Sequence, residues 1–264
     1  MKKLMFAAAV MAVGAAIAVE SGIVGYTTQT VSSNKFAMVG VQFEGCGTAG
    51  EIALGDFISG DIAFTDWDEN DEFIDTANEI QVWTGGNYEY YFYLNAHEVD
   101  DTPQAAGWCD DWGENVAEDV TFTPGQAVWF HARTGACKVT TPGQIVTEDD
   151  TDILCKSNKF TMVANFMPVE LDLNNADQVA YTDLKGTDWD ENDEFIETAN
   201  EIQVWSGGNY SYYFYLNAHE IDEVDFEEGW CDDWGETASD TIPVGRGFWA
   251  HARVDKFTIT FKKN

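Results

Sequence analysis

The chain contains one acidic, aromatic-rich segment twice, and this repetition limits the possible folds more than any other feature. Residues 66–98 read DWDENDEFIDTANEIQVWTGGNYEYYFYLNAHE, and residues 188–220 repeat them with three substitutions, at Asp75, Thr84 and Glu89. Segments this similar are expected to adopt the same local structure. Any fold for the chain must therefore accommodate the same structural unit twice.

The internal similarity extends well beyond this segment. The octapeptide GWCDDWGE begins at Gly107 and again at Gly229, and a Trp-x-His-Ala-Arg sequence ends at Arg133 and again at Arg253. All 10 tryptophans fall at equivalent positions of the two copies. Because each copy has the size of an ordinary domain, the sequence predicts a tandem duplication of one domain.

Each copy has the pattern of β-structure. Apolar side chains alternate in residues 79–83 and 88–94, and the glycine-containing residues 84–87 can form a turn, which predicts a β-hairpin with aromatic side chains on both faces. No long stretch keeps a helical period of apolar residues. The predicted fold class is all-β, with two tandem sandwich- or barrel-like domains at residues 22–141 and 142–264.

A resemblance to a known family agrees with this interpretation. The strand NKFAMVG at Asn34, the hairpin EIQVWTGGNYEYYFY at Glu79, the GWCDDW block at Gly107 and the strand FTPGQAVWFHAR follow one another in that order. This order is similar to a duplicated repeat in secreted proteins of Verrucomicrobia-type bacteria. That family has no assigned function, so the resemblance implies an exported all-β repeat and does not indicate any particular activity.

The N-terminus predicts export from the cell. Two lysines precede an apolar stretch at residues 4–13, and Ala16-Ile17-Ala18 matches the small-x-small pattern of a cleavage site. We therefore expect residues 1–18 to be a secretory signal peptide, with no membrane insertion once it is removed. The expected location is bacterial and secreted, which includes the periplasm, the cell surface and the extracellular medium.

The strongly acidic composition restricts the partners of the chain. It has 47 Asp and Glu residues against 13 Lys and Arg, and its formal net charge is −34. Such a chain repels phosphate backbones and anionic lipids, so nucleic acid and membrane surfaces are not expected as partners. Cations or basic surfaces are favoured instead. The 45% of hydrophobic residues supply enough material for a folded core.

The chain has 5 cysteines, an odd number, so at least one thiol stays outside any intramolecular disulfide. Cys109 and Cys231 occupy equivalent positions in the two copies. No CxxC sequence or Cys/His zinc spacing is present. Export would permit disulfides, but the spacing does not specify their connectivity.

The repeated DWDENDEF sequence places oxygen ligands at alternating positions. Carboxylates spaced in this way in a tight loop converge on Ca²⁺, which takes about six to eight oxygen ligands. The predicted ligands of Ca²⁺, the only cofactor expected, are Asp66, Asp68, Asn70, Glu72, Asp188, Asp190, Asn192 and Glu194. The sequence departs from an EF-hand because Asp71 and Ala77 replace its glycine and its bidentate glutamate. The alternative is a solvated acidic loop whose Asp and Asn side chains stabilise turns.

A second candidate site is aromatic. Sugar rings stack on aromatic side chains, and neighbouring carboxylates can accept their hydroxyl groups. The candidate ligand-binding residues are Tyr91, Tyr93, Trp108, Trp112, Tyr213, Tyr215, Trp230 and Trp234. The alternative is that these side chains pack in the core or at an interface, since tryptophan is common there.

No catalytic motif accompanies these candidates. Trp129, His131 and Arg133 alternate along one predicted strand, and the arginine is expected to pair with a carboxylate or to lie over a tryptophan. His97-Glu98 does not continue into a His-Glu-x-x-His motif, and no Gly-x-Ser-x-Gly sequence is present. The chain is therefore predicted not to be an enzyme, and no catalytic residue is assigned.

The sequence thus favours an exported, acidic structural or interaction protein at or beyond the bacterial cell surface, stabilised by calcium. Its expected partners are other copies of itself or other surface proteins. The alternative is a tandem carbohydrate-binding module whose two copies bind a polysaccharide with avidity. A glycoside hydrolase that uses two of the many carboxylates is a less favoured alternative.

Overall fold

A computed structural model of the chain describes residues 24–46, 50–146 and 151–262. The predicted signal peptide at residues 1–18 lies outside these ranges. No helix in the described ranges is long and apolar enough to cross a membrane. The described residues form strands and three helices of four residues each, so the predicted all-β class is confirmed.

The elements of the first half follow in chain order: β1 (Val24–Val31), β2 (Lys35–Gly40), β3 (Phe43–Glu44), β4 (Ile52–Ala53), α1 (Leu54–Phe57), β5 (Ser59–Asp61), α2 (Phe73–Thr76), β6 (Glu79–Trp83), β7 (Tyr88–Leu94), β8 (His97–Val99), β9 (Thr102–Gln104), β10 (Gly107–Cys109), β11 (Thr121–Phe122), β12 (Ala127–Ala132) and β13 (Cys137–Ile145).

The elements of the second half are β14 (Thr151–Cys155), β15 (Lys159–Ala164), β16 (Val179–Thr182), α3 (Phe195–Thr198), β17 (Glu201–Trp205), β18 (Tyr210–Leu216), β19 (His219–Ile221), β20 (Val224–Phe226), β21 (Gly229–Cys231), β22 (Gly247–Ala252) and β23 (Phe257–Phe261).

One five-stranded antiparallel sheet dominates each half. Its strand order is β10-β7-β6-β12-β2 in the first half and β21-β18-β17-β22-β15 in the second. The register also agrees, since Trp129 lies opposite Met38 in one sheet and Trp249 lies opposite Met162 in the other. The predicted hairpin forms the middle of each sheet. Its turn needs a glycine because Gly85 takes a φ of 90°.

A smaller sheet accompanies each large one, and here the two halves differ. In the first half β13 pairs with β1, β3 and β5, whereas in the second half β23 lies between β14 and β16. The sequence assigned residues 142–145 to the second domain, but they continue β13 and pair with β1 and β3. They therefore belong structurally to the first half.

Residues of both the large and the small sheet contribute to the core of each half. In the first half, Ile80, Trp108 and Phe130 of the large sheet join Val31 and Val139 of the small sheet in one buried cluster. The second half has its own cluster, which contains the corresponding residues of its large sheet. Each half therefore has its own buried apolar cluster.

The outer faces of the two large sheets pack against each other. Aromatic and methionine side chains from both halves form one cluster there: Phe36, Met38, Trp83, Tyr88, Trp129, Phe160, Met162, Trp205, Tyr210 and Trp249. Trp83 meets Trp249 edge to face with ring centroids 5.7 Å apart, and Trp129 meets Trp205 in the same way. The hairpin thus carries aromatic residues on both faces because one face meets the core and the other meets the second half.

Small residues allow the two halves to approach closely. Gly40 N donates to Gly245 O at 2.9 Å, and Ala164 N donates to Gly125 O at 2.8 Å. A Cβ atom at residue 40 would lie 2.7 Å from the Cβ of Ala164, so only glycine fits there without displacing its neighbour. Backbone hydrogen bonds as well as aromatic packing therefore stabilise the interface between the two halves.

Candidate functional site

Trp112 and Trp234 are the most exposed tryptophans, with 74% and 75% of their surface in water. Each follows an edge strand of a large sheet, β10 or β21, within the repeated GWCDDWGE sequence. Burying such a side chain would gain on the order of 2 kcal/mol. The equivalent tryptophan is exposed in both halves, which makes Trp112 and Trp234 candidate binding residues.

One carboxylate orders the loop that carries Trp112. Asp110 Oδ1 accepts hydrogen bonds from the backbone N–H of Trp112 at 3.0 Å and from that of Glu114 at 2.9 Å. Gly113, with a φ of 85°, donates its N–H to the Asp110 carbonyl at 3.1 Å. The equivalent carboxylate of the second half makes the same two side-chain bonds, at 2.9 and 3.0 Å.

A histidine fastens this loop to the neighbouring segment. The His97 ring contacts the carbonyl oxygen of Asn95 through Nδ1 and that of Gly113 through Nε2, both at 2.7 Å. Trp67 stacks on the histidine ring with centroids 5.3 Å apart. A Cβ atom at residue 113 would lie 2.4 Å from Trp67 Nε1, so glycine is required. The indole of Trp112 therefore extends from a fixed base.

Carboxylates flank both exposed tryptophans. Asp111 and Glu114 adjoin Trp112 and are exposed, and the second half repeats this arrangement around Trp234. The face of an indole attracts a cation, and adjacent carboxylates add to that attraction. The arrangement can therefore hold a cationic group against the ring, or accept the hydroxyl groups of a sugar stacked on it.

Most of the candidate ligand-binding aromatics lie elsewhere. Six of the eight are buried or partly buried in the two cores: Tyr91, Tyr93, Trp108, Tyr213, Tyr215 and Trp230. Trp108 and Trp112, both candidates for the aromatic site, do not share an open surface, because Trp108 is only 1% exposed. It lies opposite Tyr93 in the pairing of β10 with β7, and both side chains face the core.

The predicted calcium ligand Asp68 stabilises the turn before α2. Its Oδ1 accepts hydrogen bonds from the backbone N–H groups of Asn70 at 2.9 Å and Glu72 at 3.0 Å. Its Oδ2 accepts one from Phe73 N at 3.0 Å. The side chain thus accepts hydrogen bonds from N–H groups that a short helix leaves without partners. This agrees with the alternative interpretation, in which the Asp and Asn side chains of the acidic loop stabilise turns.

The second copy of the acidic loop repeats these bonds. Asp190 accepts hydrogen bonds from the same three backbone positions, at 2.9, 3.1 and 3.1 Å. Asp66 and Asp188 each accept one from an asparagine side chain, at 2.6 and 2.7 Å. Within the described ranges, no three His, Cys, Asp or Glu side chains are grouped to hold a metal ion. Calcium binding at these loops stays a prediction.

A buried glutamate accounts for the repeated histidine of β12 and β22 and for the arginine that follows each of these strands. Glu79 is 1% exposed and accepts a hydrogen bond from Arg133 Nη2 at 2.7 Å, while His131 Nδ1 lies 3.3 Å from its other oxygen. The second half repeats the cluster around Glu201. The predicted pairing of this arginine with a carboxylate is therefore confirmed, and the group has a structural role between neighbouring strands.

All five cysteines are free thiols. Cys109 and Cys231 are buried at equivalent positions, and burial raises the pKa of Cys109 to about 12 and the pKa of Cys231 to about 11. A buried, protonated thiol is a poor nucleophile and a poor metal ligand. These two residues therefore contribute to packing rather than to chemistry.

The fold and its most exposed aromatic side chains define an all-β protein with a pair of equivalent, ordered tryptophan loops. No family model, curated protein or solved structure matches this chain. The likeness to the Verrucomicrobia-type repeat therefore stays a proposal, and function is inferred from the residues of the chain itself.

Proposed function

We propose that the chain is an exported, non-catalytic interaction protein, formed by duplication of one β-sandwich-like unit, that presents two equivalent binding sites. The observation that carries this proposal is the matched exposure of Trp112 and Trp234, at 74% and 75%, on loops held by the same hydrogen bonds. Tryptophan is enriched among the residues that dominate binding energy at protein interfaces.

The order of the loop supports a binding role because association costs less when the contact residue is already fixed. Asp110 and His97 hold the base of the loop from two sides. Because the loop is already ordered before binding, little conformational entropy is lost on association. More of the contact energy of Trp112 therefore contributes to affinity.

The charge around the tryptophans favours a basic partner. Asp111 and Glu114 flank the first site, and the chain as a whole has a net charge of −34. Long-range attraction speeds the approach of a basic surface, and a Lys or Arg of that surface can then stack on the indole. The proposed partner is therefore a basic protein at or beyond the bacterial cell surface.

Two sites on one chain favour partners that repeat or lie on a surface. Once the first site is occupied, the second meets its target at a high local concentration, which strengthens attachment by about a hundredfold or more without any new kind of contact. This use of the duplication suits a surface-associated interaction protein. The same sites on a neutral polysaccharide would instead make the chain a tandem carbohydrate-binding module.

Retention of the chain on two immobilised materials tests this proposal. We expect wild type to bind a polylysine-coated surface and to pass over a neutral polysaccharide. Trp112→Ala and Trp234→Ala should each weaken retention at least about tenfold, and the double variant should abolish it. Tyr26→Ala is the matched control because Tyr26 is 73% exposed and lies outside both loops.

The outcomes separate the candidate functions. Retention on the neutral polysaccharide that the double variant loses would replace the proposal with the carbohydrate-binding alternative. Wild-type retention of the double variant on polylysine would show that net charge alone attracts the chain. The melting temperatures of the variants should stay within about 2 °C of wild type, because exposed side chains contribute little to stability.

A further inference from the structure

Two clefts open at the boundary between the halves of the chain, separate from the tryptophan loops. The first has a volume of about 530 Å³, and its lining includes Trp83, Lys156, Lys159 and Phe160. The second has a volume of about 570 Å³, and its lining includes Lys35, Phe36, Trp205 and Arg246. Each cleft thus combines the hairpin tryptophan of one half with residues of the other half.

The lining of the two clefts reverses the charge balance of the chain. Four of the 13 Lys and Arg residues line the clefts, against only two of the 47 Asp and Glu residues. The two acids are Asp152 in the first cleft and Asp240 in the second. Among the described lining residues, each cleft therefore has two cations and one carboxylate, in a chain with a net charge of −34.

The cations of the clefts have no ion-pair partner in the part of the chain that the structure describes. Within the described residues, Lys35, Lys156, Lys159 and Arg246 make no ion pair. The two acids have other partners: Asp152 accepts a hydrogen bond from Thr260 Oγ1 at 2.7 Å, and Asp240 accepts one from the Tyr213 hydroxyl at 3.0 Å. Among the described residues, nothing pairs with these four cations, so a ligand carboxylate can approach them.

Arg246 is the most informative of these cations. It is partly buried, and loss of solvation lowers the pKa of its guanidinium group. A partly buried charge without a partner is costly, and a planar guanidinium matches the two oxygens of a carboxylate. The equivalent residue of the first half is Gln126, so the fold itself does not need an arginine at this position.

The remaining lining residues suit a sugar ring. The indole N–H of Trp83 donates to Phe160 O at 3.0 Å, so the tryptophan is fixed in place at the wall of the first cleft. Hydroxyl side chains also line both clefts, at Thr84, Thr123 and Thr161 in the first and at Ser206, Ser211 and Thr241 in the second. An aromatic wall, hydroxyl groups and free cations together match a sugar with a carboxylate.

We propose that each cleft binds one acidic sugar residue, with its carboxylate at the lysine and arginine side chains and its ring against the tryptophan wall. A short ligand is favoured over a long polyanion, because the net charge of −34 repels a dense array of negative charges at long range. This proposal is independent of the tryptophan loops and of their basic partner.

Calorimetric titration of the full chain with digalacturonate tests the clefts. We expect two sites per chain and an affinity at least about tenfold lower for the methyl ester, which keeps the ring and loses the charge; tenfold corresponds to about 1.4 kcal/mol. The double variant Lys35→Gln, Arg246→Gln should retain one site, that of the first cleft. Lys138→Gln is the control, since Lys138 is exposed and lies outside both clefts.

Three results would overturn the proposal. Equal binding of the ester would exclude a carboxylate contact, and two remaining sites in the Lys35, Arg246 variant would place the ligand elsewhere. Displacement of digalacturonate by an equal concentration of inorganic phosphate would indicate a general anion site. The variant Trp112→Ala, Trp234→Ala should still bind two ligands, so failure of one proposal does not decide the other.

Discussion

The indole N–H of Trp83 donates a hydrogen bond to the carbonyl oxygen of Phe160 at 3.0 Å, across the boundary between the two halves of the chain. Trp205 makes the reciprocal bond to the carbonyl oxygen of Phe36 at 3.1 Å. Reciprocal contacts between equivalent residues are the pattern of a two-fold symmetric dimer. The interface between the two halves of this chain therefore resembles the interface between two subunits of a symmetric dimer.

Removing one of these hydrogen bonds should destabilise the whole molecule. Trp83→Phe keeps an aromatic ring and leaves the Phe160 carbonyl without its donor, which costs about 1 kcal/mol and lowers the melting temperature by about 2–4 °C. Trp112→Phe is the control, because that side chain is exposed. Equal melting temperatures for the two variants in differential scanning calorimetry would contradict this role of Trp83.

The close approach at Gly40 makes a second prediction. Gly40→Ala should cost about 1–3 kcal/mol, because the added methyl group would lie 2.7 Å from the Cβ of Ala164. Adding Ala164→Gly should recover part of the loss, because it removes the 2.7 Å contact but leaves the new Cβ 3.1 Å from the Gly245 carbonyl oxygen. Gly86→Ala, where no atom lies within 4 Å of the new Cβ, should leave stability nearly unchanged. Additive losses in denaturant unfolding would show that the two positions do not meet.

Much of this fold could be predicted from alternation along the chain. The hairpin at residues 79–94 and the strand that ends near Arg133 form as the sequence indicates. The sequence predicted aromatic side chains on both faces of the hairpin, but a pattern within one half could not show that the other half covers the second face. The four-residue helices escaped prediction because one turn is too short to show a helical period.

The candidate site was less accessible to sequence reasoning. Trp108 and Trp112 lie in the same octapeptide, yet one is buried and the other exposed, because the pairing of β10 ends at Cys109. Strand pairing is set by residues distant in the chain. Sequence reasoning also missed His97 and Trp67 as supports of the loop, and the only available signal was their presence in the repeated segment. The clefts require contacts between the two halves, which no local pattern contains.

The acidic loop gives a third prediction. Asp68→Ala should lower the free energy of unfolding by about 1 kcal/mol, because three backbone N–H groups lose their acceptor. Glu69→Ala is the control, an exposed neighbour in the same loop. The calcium hypothesis adds that Ca²⁺ raises the melting temperature of wild type more than Mg²⁺ at equal ionic strength. Equal effects of the two salts would indicate screening alone.

The buried histidine gives a fourth prediction, for pH dependence. Burial lowers the pKa of His131 below its usual value of 6.5, and the nearby Arg133 acts in the same direction against an opposing effect of Glu79. Below about pH 6.5 the unfolded chain therefore binds a proton that the folded chain resists, so stability is lost as the pH falls.

Thermal unfolding between pH 7.5 and 5.5 measures this effect. The melting temperature of wild type should fall more steeply over that range than that of His131→Gln, which cannot bind the proton. Parallel curves for the two proteins would mean that His131 is protonated as readily in the folded chain as in the unfolded one.

The central claim is that the two equivalent tryptophan loops act together, and the dissociation rate from surfaces of graded polylysine density measures this most directly. We predict that wild type dissociates at least about tenfold more slowly from the densest surface than from the sparsest. Trp112→Ala and Trp234→Ala, each with one intact loop, should dissociate at a rate independent of density. A wild-type rate that does not change with density, or single variants that keep the full density dependence, would contradict the account.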